Sequence, residues 1–472
     1  MTTISQPNTS IAQLRAELAG QVIGADDVGY DEAREVFVPN VDRRPAVIVR
    51  PADASEVAYI VSLARESGLE LAVRSGGHSS AGHGVSEGGI VLDLSLMKAL
   101  EIDPDRRVAW AESGLTAGEV TSALGAHGLA VGFGDTGSVG IGGLTLGGGV
   151  GYLVRKHGLT IDDLLAADIV TADGRLLRAD AEHHSDLFWA IRGGGGNFGV
   201  AARFQYRLHS VDTVTSGMLI LPATPQVIAS FIAAAEAAPE ELSTIATVMP
   251  APPMPFVPDE HRGRLVVMAT LVHAGPTKAG ERAVAPFRAL ATPIVDMLRP
   301  LSYPELYPPE NGAYRPRATA RTLFLDTVDR GVAERILEHL RASTAQMAVA
   351  QLRVLGGAMA RVPAEATAFA HRTSRLMLNV AAVYATPDEA PVHEAWVTKA
   401  AAALRQADAG AYVNFLADEG EQRIRAAYPG RTWDRLAAIK LQYDPTNLFR
   451  LNQNIPPASK GSSASIQQQD RK

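Results

Sequence analysis

The sequence contains no cysteine among its 472 residues. That absence excludes disulfides, a thiolate nucleophile and zinc–thiolate sites, so the chemistry must use histidine, tyrosine, carboxylates or a bound cofactor. Long apolar runs are also missing: no stretch reaches the ~18 residues that a membrane helix needs. The opening MTTISQPNTS lacks the charged-then-apolar pattern of a signal peptide. We therefore expect a cytoplasmic protein that has no membrane partner.

The chain has no excess of basic residues either. It holds 44 Lys and Arg against 51 Asp and Glu, a net charge of −7, and no basic block follows a predicted helix. This balance argues against a nucleic-acid partner. With 46% hydrophobic and 20% charged residues the composition is that of a globular protein, and its length indicates roughly two or three domains.

Residues 45–212 alternate short apolar segments with glycine turns. Their patterns predict strands at 46–50, 72–74 and 90–94, a helix that begins at Ser55, a helix from the capping box of Thr116 and Glu119 to His127, and a hairpin over 169–177. On the first helix, Val57, Ile60, Val61 and Ala64 fall on one face. The order of these elements indicates an α+β organisation and not a regular βαβ series.

From about residue 215 the glycines become fewer, which indicates a second domain. Proline-rich connectors at 250–258 and 300–309 separate alanine-rich helices from strands such as 265–271. The last part of the chain predicts a strand at 411–416, a helix over 431–443 and a turn at 444–447. A Ser/Gln/Lys-rich tail from about 459 is predicted to be disordered.

Glycine is concentrated in three clusters: RSGGHSSAGHG at 74–84, ten glycines among residues 132–151, and RGGGGNFG at 192–199. Because glycine lets backbone N–H groups approach a ligand closely, the clusters predict one extended ligand that is held from two sides. The alternative is that they form tight turns in a β-rich domain. Two GxGxxG patterns, at 132–137 and 194–199, lack the strand, helix and later acidic residue of a dinucleotide fold.

His78 and His83 lie inside the first glycine cluster. A metal site would need further ligands at suitable spacing, and the sequence has no HExxH pattern, so no metal is predicted. One interpretation is a structural histidine that bonds a loop carbonyl. The other is a loop histidine that is attached covalently to a cofactor through an imidazole nitrogen.

A set of motifs spread along the chain carries a family resemblance. They are residues 73–78, 89–94, 140–151, 155–159, 186–190 and 193–199, followed by 412–415, 443–449 and 452–455. They resemble the vanillyl-alcohol-oxidase (PCMH-type) superfamily, and within it the berberine-bridge-enzyme-like FAD-linked oxidases, closest to the subgroup of 6-hydroxy-D-nicotine oxidase and EncM. The likeness runs from about 30 to 457 and is weakest over 215–350.

The resemblance implies an α+β fold: a two-part PCMH-type FAD-binding domain, and a substrate domain with an antiparallel sheet covered by helices. The implied boundaries are 1–212 for the FAD-binding domain, with a core at about 42–212, 213–410 for the substrate-binding domain, 411–458 for a segment that returns to the FAD domain, and 459–472 for the tail. The oligomeric state is expected to be a monomer or a homodimer.

The resemblance also implies which residues bind FAD. In the family, the histidine at the position of His78 is bonded to the 8-methyl group of the flavin. The residues matched to cofactor binding are Arg74, Ser75, Gly76, Gly77, Ser79 and His83 on one side, Thr136, Gly137, Ser138, Gly142, Gly143, Gly148 and Gly151 on the other, Asp162 and Val200 near the adenosine, and Asn452 and Asn454 from the C-terminus.

The chain departs from relatives that hold the flavin through two bonds. Their second bond uses a cysteine, and the matching stretch here is Thr136-Gly137-Ser138-Val139. Without sulfur only one covalent link, through His78, is possible. A valine at the position of Val139 is associated in the family with access of dioxygen to the reduced flavin, which favours an oxidase over a dehydrogenase.

We predict that Tyr412 is the catalytic base, with Asn414 two residues later on the same side of the predicted strand. The alternative is a tyrosine packed at the domain interface. Gln351 and Arg353 share one face of another strand, and in relatives this strand forms the floor of the substrate pocket. Arg353 is a candidate to bind an anionic or carbonyl group, against the alternative of a solvated strand face. His371 and Arg372 are expected to be structural.

The predicted function is that of an FAD-dependent oxidase. Hydride passes from an alcohol or amine C–H of a small-molecule substrate to the flavin and then to dioxygen, giving hydrogen peroxide. Two alternatives remain open: a flavin-dependent oxygenase of secondary metabolism, and a non-catalytic flavin- or ligand-binding protein.

Overall fold

The computed structural model describes residues 10–309 and 315–459. Apart from Ser459, the predicted disordered tail lies outside the described residues. Within the described ranges, no helix combines the length and the apolar character needed to cross a membrane.

The N-terminal part of the chain is a small mixed sheet with three helices packed around it. Its elements are α1 (Ile11–Glu17), β1 (Gln21–Gly24), α2 (Tyr30–Arg34), β2 (Val47–Arg50), α3 (Ala54–Ser67), β3 (Leu71–Arg74) and β4 (Ile90–Asp93), in the strand order β1-β2-β4-β3. The predicted strands and the buried face of α3 are confirmed. The cap of α3 is Asp53 and not Ser55, because the Asp53 carboxylate accepts the first backbone N–H groups of the helix.

A second, antiparallel sheet completes the first domain. Its elements are β5 (Leu100–Asp103), β6 (Val108–Glu112), α4 (Ala117–Gly125), β7 (Leu129–Ala130), α5 (Ile141–Gly147), α6 (Val154–His157), β8 (Leu164–Val170), β9 (Leu176–Asp180), α7 (Ser185–Ile191), β10 (Val200–Arg207) and β11 (His209–Ser210). The five-stranded order is β5-β6-β10-β8-β9, and β11 pairs with β7. The capping box of α4 and the hairpin of β8 and β9 are both present, as predicted.

The second domain is one large antiparallel sheet with helices on one face. Its elements are β12 (Thr213–Pro222), α8 (Pro225–Ala237), β13 (Leu242–Pro250), β14 (Leu265–His273), α9 (Thr277–Arg288), β15 (Val295–Asp296), β16 (Arg299–Ser302), β17 (Arg317–Leu325), α10 (Arg330–Arg341), β18 (Met347–Val354), α11 (Ala358–Arg361), β19 (Leu376–Tyr384) and α12 (Ala390–Leu404). Ala350 and Leu352 of β18 pack into the core under the helices. The alternate residues Gln351 and Arg353 therefore lie on the opposite face, as the two-residue period predicts.

The chain then returns to the first domain through α13 (Glu421–Ala427) and α14 (Arg431–Tyr443). The predicted bounds of α14 are confirmed, but the strand predicted at 411–416 is wrong. Residues Val413–Phe415 form a short 3₁₀ helix, in which the Phe415 N–H donates to the Tyr412 carbonyl at 3.0 Å. Because this hydrogen bond joins two residues of the same segment, the segment does not pair with a strand of a sheet.

Two stacked histidines lie close to the junction of the two domains. The ring of His157, at the end of α6, stacks on His209 with a centroid distance of 3.8 Å. His209 Nε2 lies 2.7 Å from Asp163 Oδ1, and the neighbouring Lys156 bonds the Ala274 carbonyl of the second domain. Burial, followed by the charges of His209 and Lys156, lowers the pKa of His157 from 6.5 to about 3.

This stack predicts acid sensitivity with a defined direction. Between pH 6.5 and about 3 the unfolded chain binds a proton at His157 that the folded chain does not bind. The free energy of unfolding therefore falls as the pH drops through this window, by at most about 1.4 kcal/mol per pH unit from this group. His157→Phe, which keeps the stacked ring, should make that dependence shallower in urea unfolding followed against pH. The exposed His127→Phe is the matched control, and equal slopes for both variants would contradict the prediction.

Candidate active site

A cavity of about 520 Å³ lies where the two domains and the returning C-terminal segment meet. Its walls come from the loop at 74–84, the glycine-rich stretch at 134–150, residues 195–201, strand β18 and the segments 412–416 and 449–453. All three glycine clusters of the sequence therefore contribute to one cavity.

Two of these clusters are in direct contact. A Cβ atom on Gly76 would lie 2.2 Å from the Gly140 nitrogen, and one on Gly140 would lie 2.2 Å from the Gly76 nitrogen. Ser75 Oγ joins the loops further, since it donates to the Ser113 carbonyl at 2.6 Å and accepts from the Gly142 N–H at 3.2 Å. Any side chain at Gly76 or Gly140 would force the two loops apart.

Other glycines of the cavity wall face open space. A Cβ atom on Gly143 or Gly196 would meet no atom within 4 Å, and both residues line the cavity. Packing within the described protein therefore does not require glycine at these two positions. A ligand that approaches the backbone closely does require it.

The two loop histidines both line the cavity but differ in their surroundings. His78 is half-buried and its imidazole stacks on the ring of Phe37, with centroids 4.2 Å apart and planes 19° apart. Burial, with a smaller effect from Arg43 that Asp418 opposes, lowers the pKa of His83 to about 4. His83 is therefore a neutral imidazole at neutral pH.

Tyr412 is the centre of a hydrogen-bond cluster on the cavity wall. Its hydroxyl oxygen accepts from the backbone N–H groups of Gly149 at 2.9 Å and Val150 at 3.3 Å, and from Asn414 Nδ2 at 3.0 Å. Hydrogen bonds from three donors favour the deprotonated form of the phenol. Burial raises the pKa of Tyr412, while the N–H donors and the positive charge of Arg353 act against it.

Arg353 does not belong to a solvated strand face. It is 5% exposed, its Nη2 donates to Asp135 Oδ2 at 2.6 Å and to Gln351 Oε1 at 2.7 Å, and its guanidinium lies over the Phe415 ring. Asp135, Gln351 and Arg353 all line the cavity. The alternative of a solvated face is therefore wrong, and the cavity contains an ion pair whose charges cancel.

Most of the predicted site residues line this cavity. They are Tyr412, Asn414, Gln351, Arg353 and Val139 of the predicted catalytic set, and Arg74, Ser75, Gly76, Gly77, His78, Ser79, His83, Thr136, Gly142, Gly143, Val200 and Asn452 of the predicted cofactor set. Gly137, Ser138, Gly148, Gly151, Asp162 and Asn454 are not among its lining residues.

The structure gives Asp162 and Arg74 other partners than a cofactor. Asp162 forms a two-pronged ion pair with the fully buried Arg372, both bonds being 2.8 Å long. Arg74 contributes its aliphatic stem to the loop, but its guanidinium turns away to Asp93 at 2.9 Å. The carboxylate of Asp162 is therefore engaged in joining the domains. Arg372 and His371 are both buried, and His371 Nε2 lies 3.1 Å from the Ala427 carbonyl.

Sequence reasoning missed three residues around the cavity. Asp135 lay in a glycine pattern that we interpreted only through its glycines. Asn197 clamps the C-terminal segment, since its Nδ2 donates to the Gln453 carbonyl at 3.1 Å and its Oδ1 accepts from the Ile455 N–H at 2.9 Å. Lys440 is fully buried and bonds the Asn197 carbonyl at 2.7 Å. Among the described residues, no cluster of metal-ligating side chains occurs.

Two protein-family models match the chain. An FAD binding domain matches residues 45–180, and the berberine and berberine-like family matches residues 411–456. The first contains the loops around His78 and Gly140, and the second contains Tyr412 and Asn452. The two matches thus cover opposite ends of the chain that the fold brings to one cavity.

Similar proteins align over nearly the whole chain. The uncharacterized FAD-linked oxidoreductase YvdP of Bacillus subtilis is 32% identical, over 94% of this chain and 99% of that protein. The (R)-6-hydroxynicotine oxidase of Paenarthrobacter nicotinovorans is 30% identical, over 93% and 97%. The crystal structure of 6-hydroxy-D-nicotine oxidase from Arthrobacter nicotinovorans superposes with a TM-score of 0.82 at 27% identity, over 93% of this chain and 98% of that one.

Proposed function

The chain belongs to the FAD-linked oxidoreductases that share a berberine-like C-terminal segment, and we propose that it is an oxidase of alcohol or amine C–H bonds that holds its FAD through His78. The observation that carries this proposal is the Tyr412 hydroxyl, which is buried under three N–H donors in the same cavity as the glycine loops and His78.

The residues of the cavity fit FAD. The backbones of Gly143 and Gly196 lie open to the cavity, so their N–H groups can approach a pyrophosphate without a side chain in the way. His78 and Ser79 on one loop and Thr136 and Gly142 on the other would hold the cofactor from two sides. The C-terminal Asn452 completes this set of cavity-lining residues.

Bound FAD would supply the redox chemistry, namely hydride acceptance from the substrate C–H and transfer of two electrons to dioxygen to give hydrogen peroxide. The protein orients the substrate and removes a proton from its hydroxyl or amine. Tyr412, in its deprotonated form, receives this proton at Oη, and Asn414 keeps the phenol ring in position. Because the tyrosine pKa is raised by burial, we expect activity to increase towards alkaline pH.

Arg353 and Gln351 orient the polar part of the substrate. The guanidinium already bonds the Asp135 carboxylate, so the pair as a whole carries no net charge. A buried cation that is paired in this way gains little from a second carboxylate. We therefore propose that the substrate presents a carbonyl or a hydroxyl group to this strand, and not an anionic group.

Val139 supports an oxidase over a dehydrogenase. It is half-buried and lines the cavity next to Gly140, at the position where a valine is associated in the family with dioxygen access.

A panel of alcohols and amines, tested for flavin bleaching without air and for peroxide in air, decides the activity. One peroxide per substrate oxidised supports an oxidase, less peroxide supports an oxygenase, and no bleaching with any substrate supports a binding protein.

We expect that the denatured protein retains FAD on a peptide that contains His78. The measurement is the intact mass after acid denaturation, followed by mapping of the modified peptide. His78→Ala should bind FAD that is released completely on denaturation, whereas His83→Ala should keep the adduct. An unmodified wild-type peptide from protein that carries stoichiometric FAD would contradict the covalent link and leave FAD binding intact.

Gly143→Ala tests whether FAD occupies the open side of the second glycine cluster. The new Cβ would meet no protein atom, and alanine is favoured over glycine in a helix by about 1 kcal/mol, so the apoprotein should keep its stability. Bound FAD would be crowded, at a cost of about 1–3 kcal/mol in binding free energy. Titration with FAD in the His78→Ala background measures this, with Gly331→Ala on α10 as control. Equal affinity in both variants would place FAD elsewhere.

A further inference from the structure

We propose that Phe37 orients the His78 imidazole for its attachment to FAD, an inference that rests on the covalent link proposed above. The two rings are stacked with centroids 4.2 Å apart and planes 19° apart. A loop that is rich in glycine does not by itself fix the orientation of a side chain. The aromatic ring of Phe37 supplies a flat surface that does so from outside the loop.

Two contacts hold Phe37 against the loop, one from its own backbone and one from the preceding residue. Its backbone N–H donates to the Gly77 carbonyl at 3.0 Å, which is the peptide directly before His78. The preceding Val36 is buried and packs with Val85 and Val91 of the sheet region. Gly77 has a φ of +70°, a conformation that favours glycine and turns the loop back towards this segment.

A buried arginine fixes the segment that carries Phe37. Arg74 Nη2 donates to the Ala33 carbonyl at 2.6 Å, and Nη1 donates to the Glu35 carbonyl at 3.2 Å, both at the end of α2. The same guanidinium is paired with the buried Asp93 of β4. The ring of Phe37 is therefore joined to the sheet through bonds that do not depend on a cofactor.

The attachment reaction makes orientation important. The bond forms between an imidazole nitrogen and the 8-methyl carbon of FAD, and each of the two atoms loses one hydrogen. The two electrons and two protons pass through the flavin to dioxygen, which leaves as hydrogen peroxide. A misplacement of about 1 Å in such a near-attack geometry can cost on the order of 10²-fold in rate. The stack on Phe37 limits rotation of the imidazole about its bond to Cβ.

The experiment compares the rate of covalent attachment in Phe37→Ala, Phe37→Tyr and the wild type. Freshly purified proteins are incubated with FAD in air, and the covalent fraction is followed by flavin fluorescence of the denatured chain and by intact mass. We expect attachment in Phe37→Ala to be slower on the order of tenfold to a hundredfold. Phe37→Tyr, which keeps the flat ring, should restore the wild-type rate. Phe256→Ala, in the exposed proline-rich loop, is the control.

The outcomes separate this inference from the function on which it rests. A wild-type chain that never carries the adduct overturns the covalent link at His78. A wild-type chain that is modified, together with a Phe37→Ala variant modified equally fast, overturns the role of Phe37. If Phe37→Ala fails to fold or to bind FAD, Phe37→Leu replaces it, since leucine keeps apolar volume without a flat ring. If Phe37→Leu is attached to FAD as fast as the wild type, this result also overturns the role of Phe37.

Discussion

Replacing Tyr412 by phenylalanine is expected to lower kcat/KM by about 10²–10⁴-fold while the protein keeps its FAD. The phenyl ring preserves the packing of Tyr412 against Phe369 and Phe415. The hydroxyl is lost, and with it the group that takes the proton from the substrate. The effect should appear mainly in kcat, because the interaction is strongest when the C–H bond breaks.

The pH dependence of kcat/KM is a second, independent test of Tyr412 as the catalytic base. Burial is the largest effect on Tyr412 and raises its pKa, so the fraction of deprotonated phenol increases with pH well into the alkaline range. In the wild type, kcat/KM should therefore rise with pH, and in Tyr412→Phe this rise should disappear. The substrate for these measurements is the one that gives peroxide in the panel.

The control for Tyr412→Phe is Tyr428→Phe. Tyr428 is also fully buried and its hydroxyl donates to the Gly193 carbonyl at 3.3 Å, but it is not among the residues that line the cavity. Both variants lose one buried hydroxyl, so a shared loss of activity reports folding and not catalysis. If Tyr412→Phe loses as little activity as Tyr428→Phe, another group is the catalytic base. Asp135→Asn then tests the carboxylate beside Arg353.

Elements with local signals could be predicted from the sequence. The face of Val57, Ile60, Val61 and Ala64 on α3 is fixed by a helical period within one segment, and all four are fully buried. The capping box of α4 is likewise a local pattern. The strand predicted at 411–416 failed because a segment of six mostly apolar and aromatic residues fits a 3₁₀ turn as well as a strand. Only the pairing partner decides between them, and that partner is distant in sequence.

In the candidate site, too, residues in local motifs could be predicted, whereas those defined by a distant partner could not. The glycine loops and Tyr412 stand out as motifs, and the structure brings them to one cavity. The partner of Asp162 is 210 residues away in the chain, and no local pattern indicates that Arg372 takes up both of its oxygens. Asp135 was missed for the same reason, because Arg353, which gives its carboxylate a role, is on a strand of the other domain.

Replacing Lys440 by methionine is expected to destabilise the protein by about 3–5 kcal/mol. Lys440 and its partner Asp444 are both fully buried, and their atoms are 2.6 Å apart. The ammonium also donates to the carbonyls of Asn197 and Phe449, two residues that line the cavity. Removing the cation leaves a buried carboxylate without its counter-charge. It also releases the C-terminal segment from the third glycine cluster.

Chemical unfolding and retained FAD measure these two consequences separately. Lys399→Met on α12 is the control, since that lysine is exposed and the same side chain is lost. Lys440→Met combined with Asp444→Asn should recover part of the stability, because the unpaired charge is then removed while the amide oxygen still accepts from the Leu448 or Phe449 N–H. If the double variant is no more stable than Lys440→Met, the loss comes from the backbone bonds of the ammonium and not from the buried charge. If Lys440→Met unfolds like Lys399→Met, the buried pair contributes no stability, and other bonds, such as those of Asn197 and Gln453, hold the C-terminal segment.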